Sequence, residues 1–150
     1  MSEVFIDADA CPVKKEVYRV AERHRVNVKV VANTPMFVPE AAWIELVVVG
    51  DGFDAADDWI AAHAGPHDIV VSDDIPLAAR CLQKGARVVG SRGRAFTEAS
   101  IGEALATREM LSQLREHGLI GGGPAPFEPK DRSRFLERFD TFLRAALRQG

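Results

Sequence analysis

Apolar residues gather in five short runs: Val4 to Ile6, Val28 to Ala32, Leu46 to Val49, Ile69 to Val71 and Arg87 to Val89. None alternates apolar with polar positions, as a strand with one wet face would. Continuous runs of this length suit strands of a parallel sheet covered on both sides. Between the runs the spacing turns helical. Val13, Val17, Val20, Ala21 and His24 recur at helical intervals, behind a Pro12 placed where a first helical residue tolerates proline. Ala56, Trp59, Ile60 and His63 form a shorter stripe closed by Gly65-Pro66, and Pro76 opens a third helix with Leu77, Ala78, Cys81 and Leu82, ended by Gly85. The link from Asn33 to Glu45, with Pro35 and Pro39, predicts an irregular excursion near the carboxyl edge of the sheet.

This order predicts a doubly wound, Rossmann-like α/β/α sandwich around a mostly parallel five-stranded sheet. After residue 90 the pattern changes. Ser91-Arg92-Gly93-Arg94 reads as a loop, and a helix follows from about Thr97 to His117, with Ser100 and Glu103 spaced as a capping box. Gly118 and Gly121-Gly122-Gly123-Pro124 form a flexible link. A last helix starts near Asp131 and carries Phe135, Leu136, Phe139, Phe142, Leu143, Ala146 and Leu147 on one face. That stripe must pack on the sheet or on a second subunit, so a homodimer through this helix is one expectation. The chain reads as a single domain, 1–150, with an α/β core over about 1–90 and C-terminal helices over about 97–150.

Composition narrows the function classes. With 150 residues, 47% hydrophobic and 27% charged, the chain can bury a sizeable core as an ordinary globular protein. A net charge of −3 argues against a broad nucleic-acid footprint but leaves room for a local basic patch. No apolar run reaches the roughly 18 residues that would span a bilayer. Acids at Asp7 and Asp9 interrupt any signal-peptide layout. Cys11 and Cys81 make neither a metal clip nor a disulfide framework, so a reducing cytoplasm is expected, with no membrane partner.

The chemistry lies in the acids. Ligands of open α/β sheets collect outside the carboxyl ends of the strands. Asp7 and Asp9 follow the first run, Asp54, Asp57 and Asp58 the third, and Asp73 and Asp74 the fourth. Asp54 and Asp57 share a helix face. Like charges converging on one rim repel unless a cation or shared protons relieve them, and Mg²⁺ or Mn²⁺ suits such an oxygen-rich set. Helix capping accounts for Asp58 or Asp73 alone. It does not require an Asp-x-Asp pair that begins before its helix. The candidate metal ligands are therefore Asp7, Asp9, Asp54, Asp57 and Asp74, and the candidate catalytic acids Asp7, Asp9, Asp57 and Asp74.

Arg92 and Arg94 follow the fifth run on the same rim, and Arg108 lies on the next helix. A guanidinium binds a phosphodiester bidentately, so Arg92 and Arg108 are the candidate substrate-binding residues. Arg132, Arg134, Arg138, Arg144 and Arg148 read as a solvated helix face. Cys11 lacks a paired histidine and reads as a small packing residue, as does Cys81. His24, His63, His67 and His117 lie on apolar stripes or near element ends, and read as structural rather than as ligands.

Asp7-Ala8-Asp9-Ala10-Cys11-Pro12, Gly52-Phe53-Asp54-Ala55-Ala56-Asp57, Asp74-Ile75-Pro76-Leu77-Ala78, Arg92-Gly93 and Gly122-Gly123-Pro124 resemble, in order, the signature blocks of the bacterial YaiI/YqxD family. The blocks cover nearly the whole chain. The resemblance implies a PIN-like α/β/α sandwich, whose better-known relatives are metal-dependent nucleases acting mostly on RNA. It would place Asp7, Asp57 and Asp74 in the acidic roles of such a site. Two positions depart from the family pattern: Asp73, which is not regularly acidic there, and Ser91, where relatives often carry proline.

Three functions compete. The first is a divalent-metal-dependent nuclease or phosphodiesterase acting on RNA. The second is a PIN-like module that binds RNA, a nucleotide or a protein without turnover. The third is a haloacid-dehalogenase-like phosphatase, suggested by Asp7-x-Asp9 and by Gly50-Asp51-Gly52-Phe53-Asp54. It lacks room for its Ser/Thr and Lys motifs, Lys29 being the only lysine available past the first helix.

Overall fold

The computed structural model describes residues 2–50, 52, 54–121 and 125–149. The elements run β1 (Glu3–Asp7), a 3-10 turn (Ala8–Ala10), α1 (Lys14–His24), β2 (Asn27–Ala32), β3 (Ile44–Val48), α2 (Ala55–His63), β4 (Ile69–Val71), α3 (Ile75–Gln83), β5 (Arg87–Val89), β6 (Ala95–Phe96), α4 (Glu98–Glu116) and α5 (Pro129–Gln149). The sheet order is β3-β2-β1-β4-β5-β6, parallel except for β6. In such an order the chain winds outward in both directions from β1 and β4, and the gap between those two strands is where ligands bind.

Both faces of the sheet are covered, which explains the continuous apolar strands. Val4, Ile6, Val28 and Val30 point into one core with Val17 and Val20 of α1 and Phe135, Phe139 and Leu143 of α5. Phe5, Val31, Val70 and Val88 point into the other, with Ile60 of α2 and Leu77 and Cys81 of α3. The apolar stripe of the last helix is thus consumed within the subunit: Phe135 and Phe139 are fully buried and stacked at 5.3 Å. Burial of each ring contributes about 2 kcal/mol. Only Leu147 of that stripe remains exposed. His24 joins the same layer by a 2.8 Å contact between its Nε2 and Asp140 Oδ1. The link from Asn33 to Trp43 is irregular, as its prolines predict, yet Met36, Val38, Ala41 and Trp43 pack on the α1/α5 core and do the covering that a crossover helix would do.

Three expectations need correction. The sheet has a sixth strand, because Ser91 to Arg94 is the turn of a hairpin that returns β6 antiparallel to β5. Gly93 makes that turn possible: its φ is +86°, and a Cβ there would lie 2.7 Å from the backbone of Arg134. The first helix begins at Lys14 rather than at Pro12, since a 3-10 turn and the Cys11 to Val13 bend come first. The capping box of α4 pairs Thr97 with Ser100, one turn earlier than Ser100 with Glu103. The Gly122-Gly123-Pro124 part of the expected flexible link lies outside the described residues, as do Asp51 and Phe53.

Candidate functional site

At the carboxyl ends of β1 and β4, strand burial gives way to polar groups within a few residues. Ile6 and Val71 are fully covered, whereas Asp7 is half-buried and Ser72 buried. Ser72 Oγ donates to Asp7 Oδ2 at 2.8 Å and accepts from the backbone N–H of Asp74 at 3.0 Å. Asp74 Oδ1 in turn accepts from Leu77 N at 3.0 Å, capping α3. One hydroxyl therefore locks the end of β1 to the turn that opens α3. These residues line a cavity of about 250 Å³, together with Ala10, Cys11, Val71, Asp73 and Ser91.

Asp57, on α2, does not line that cavity but lies within hydrogen-bonding reach of Asp74. Burial and then the charges of Asp74, Asp7 and Asp54 push its carboxyl up to about 7. Asp7 is also raised: burial dominates, the Ser72 hydrogen bond pulls the other way, and Asp74, Asp9 and Asp73 add repulsion. Among the described residues no lysine or arginine pairs with Asp7, Asp9, Asp54, Asp57 or Asp74. A half-buried set of like charges without cations gains free energy from any positive ligand, a proton included.

Asp9, Asp73 and Asp58 have structural tasks. Asp9, exposed, receives the N–H of Asn33 on both oxygens at 3.1 and 3.4 Å and so ties the β1 end to the β2 end. Asp73 accepts from both the N–H and the hydroxyl of Ser91, joining the β4 and β5 ends. Gly90 lets it do so, since a Cβ there would lie 2.7 Å from Asp73 Oδ1. Asp54 is exposed at the N-terminus of α2 in a left-handed conformation (φ 66°). Asp58 pairs with Arg80 at 2.8 Å. Among the described residues, no group of three or more His, Cys, Asp or Glu side chains is set to hold a metal ion between them. Cys11 lines the cavity, but burial pushes its thiol up to about 11, so it is a neutral packing group at physiological pH.

The comparisons with known proteins bear on these residues. The family model described as "Uncharacterized BCR, YaiI/YqxD family" matches residues 5–145. The chain belongs to the YaiI/YqxD family. A UPF0178 protein of Rhodospirillum rubrum is 56% identical over 97% of this chain and 98% of its own length. UPF0178 proteins of Rhodopseudomonas palustris and Rhodospirillum centenum are 51% and 54% identical, each over 99% of this chain and over 96% and 99% of their own lengths. No solved structure matches the chain. None of these names carries an activity.

Of the residues picked from sequence, Asp7, Asp57 and Asp74 are brought together, with Asp54 and Asp9 near enough to act on their charges. Arg92 and Arg108 line one groove beside the cavity. Arg92 is partly engaged: it donates to the Ala125 carbonyl, lies 3.7 Å from Asp131 and stacks 5.9 Å from the Phe127 ring centre. The phosphatase reading loses ground, because Lys29 bridges Glu3 and Glu45 at 3.0 and 3.1 Å along the strands. Sequence reasoning missed Ser72. Its signal was a polar residue ending an otherwise apolar run, directly before two acids. Among the described residues no helix is long and apolar enough to cross a membrane.

Proposed function

We propose that the chain is a divalent-metal-dependent phosphodiesterase acting on RNA, with Asp7, Asp57 and Asp74 around the reacting phosphate. The observation that carries this reading is Asp57, whose carboxyl is pushed up to about 7 by burial and by Asp74, Asp7 and Asp54. Such crowding costs stability, and a carboxyl perturbed by burial and by specific neighbouring charges is a candidate functional group.

The residues fit Mg²⁺ or Mn²⁺. Asp7 uses Oδ2 for Ser72 and Asp74 uses Oδ1 for Leu77, so each keeps a second oxygen. Magnesium is commonly held by one or two carboxylates, with water and substrate phosphate completing its shell, so a preassembled cage of three ligands is not required. A bound ion would supply positive charge to the phosphoryl oxygen and acidify the attacking water. Asp7 and Asp74 would hold the ion. Asp57, with a proton affinity near neutrality, is suited to take the proton of that water. Asp9 and Asp54 add negative potential. Ser72 fixes the aim of Asp7 and the start of α3.

The test is single-stranded RNA with purified protein and Mn²⁺. Asp7→Asn and Asp57→Asn should each lower turnover at least 100-fold, and a variant as active as the wild type overturns the assignment. The lack of a three-ligand group among the described residues favours one competitor, a module that binds RNA without cutting it. That reading wins if RNA is bound and left intact in both Mg²⁺ and Mn²⁺.

A further inference from the structure

The acid cavity opens sideways. Ala10, Asp73 and Ser91 line both it and a groove of about 850 Å³ that continues between the β5–β6 hairpin, α4 and Phe127. Arg92 and Arg94 border the groove from the hairpin, and Arg108 and Arg115 from α4. Asp73 and Glu103 are the only acids among its lining residues, and Ser91 already holds both oxygens of Asp73. Arg108 and Arg115 are exposed and form no ion pair among the described residues. Seven residues of helix set them about 10 Å apart along the groove. The guanidinium of Arg94 lies 5.0 Å from the Phe96 ring centre and that of Arg92 5.9 Å from Phe127. Flat cationic and aromatic surfaces of this kind accept bases as well as phosphates.

The opposite side of the acids is different. From Val30 to Ala79 the chain contains no lysine or arginine. On the side away from the groove that segment supplies β3 and α2 with Asp54 and Asp57. Arg80 pairs with Asp58 and Lys29 with Glu45 there, but a polyanion continuing past the acids toward α2 would meet Asp54 and Asp57, which no lysine or arginine pairs among the described residues, within the roughly 8 Å over which physiological salt fails to screen them.

We infer that a single-stranded polynucleotide enters the groove end-on, its terminal phosphodiester at the acids and the rest of the strand along α4. The chemistry rests on the phosphodiesterase reading above; the direction rests on the groove. Hydrolysis adds the hydroxyl of water to phosphorus as the ester P–O bond breaks, and the proton of that water ends on the departing oxygen. One terminal nucleotide leaves and the strand is shorter by one.

The experiment compares a labelled ten-nucleotide RNA with a covalently closed circle of the same sequence. Binding is measured by anisotropy in Ca²⁺, and products are resolved in Mn²⁺. The linear strand should bind at least tenfold more tightly than the circle and shorten one nucleotide at a time. Arg108→Ala with Arg115→Ala should weaken linear binding about tenfold and flatten its salt dependence by about 1.4 in log–log slope, at about 0.7 per lost single-strand phosphate contact. A circle bound or cut as well as the line overturns the end-on inference and leaves the phosphodiesterase reading intact. Failure to bind either RNA also overturns it. End-selective binding with no turnover in any divalent metal keeps the inference and removes the phosphodiesterase.

Discussion

Two stretches of the chain meet at the carboxyl edge of the sheet: residues 30–79, which supply Asp54, Asp57, Asp73 and Asp74, hold no lysine or arginine, whereas residues 80–149 hold thirteen. The net charge of −3 conceals this division. The acidic side is crowded, since Asp57 sits against Asp74, Asp7 and Asp54 with its carboxyl raised to about 7. The basic side is relaxed, with Arg94, Arg108 and Arg115 exposed to water. The contrast teaches where each kind of charge acts. The acids work at short range under mutual strain, which suits binding a cation or moving a proton. The arginines work at long range in solvent, which suits drawing in a polyanion and contributes little to folding.

The largest effect that would break this contrast is kinetic. Asp74→Asn should lower Mn²⁺-dependent turnover on RNA at least 100-fold with little change in KM, whereas Arg108→Ala should raise KM and leave kcat within about twofold. Steady-state kinetics on one RNA checks both, and a loss of kcat in the arginine variant would show that the two sides do not divide the work.

Next comes the hydroxyl that holds the acidic side together. Ser72→Ala removes the donor to Asp7 Oδ2 and the acceptor for the Asp74 N–H in a buried setting. Leaving those groups unpaired should cost about 1–3 kcal/mol, read by urea denaturation. An unchanged unfolding free energy would mean that water replaces the hydroxyl and that Ser72 does not set the site.

The uneven legibility of the chain follows from the range of the forces involved. β1, β2, β4 and β5 are readable because strands buried on both faces need continuous apolar runs. The nearness of Asp7, Asp57 and Asp74 to one another is readable because each lies beside the carboxyl end of such a strand or on the helix after it. β6 is hidden because so short a strand carries no periodicity, and its position depends on Gly93 touching the backbone of Arg134, far along the chain. The hydrogen bonds of Asp9 and Asp73 are hidden because their partners, the N–H of Asn33 and the N–H and hydroxyl of Ser91, come from neighbouring strand ends. The missed 3-10 turn has the same origin, since Pro12 suits a helix start whichever turn comes before it.

A smaller effect concerns pH. Because the folded-state carboxyl of Asp57 is raised to about 7, the fold binds that proton more tightly than the unfolded chain does. Its contribution to stability is fully present below about pH 4, the ordinary carboxylate range, and is lost as pH rises through about 7. In EDTA, Asp57→Asn should therefore be more stable than wild type at pH 8, and equal to it near pH 4. The group is half-buried and partly screened by water, so the gain should be about 1 kcal/mol. Thermal melts at the two pH values check it, and equal melting temperatures at pH 8 would remove the strain attributed to the acidic side.

The smallest expected effect is on the stability of the basic side. Of the nineteen residues of α4, Ala104 is buried, and the helix stands largely against α3 with Arg108 and Arg115 exposed. Neither arginine pairs with an acid among the described residues, so removing one leaves no buried charge behind. Alanine also favours helix slightly more than arginine does. Arg108→Ala should therefore change unfolding free energy by no more than about 0.5 kcal/mol, the range of ordinary surface substitutions. The melting temperature should not depend on added salt more than that of the wild type. A loss several times that range would place Arg108 in the packing of α4, and any RNA-binding defect of that variant would then report a displaced helix rather than a missing cation.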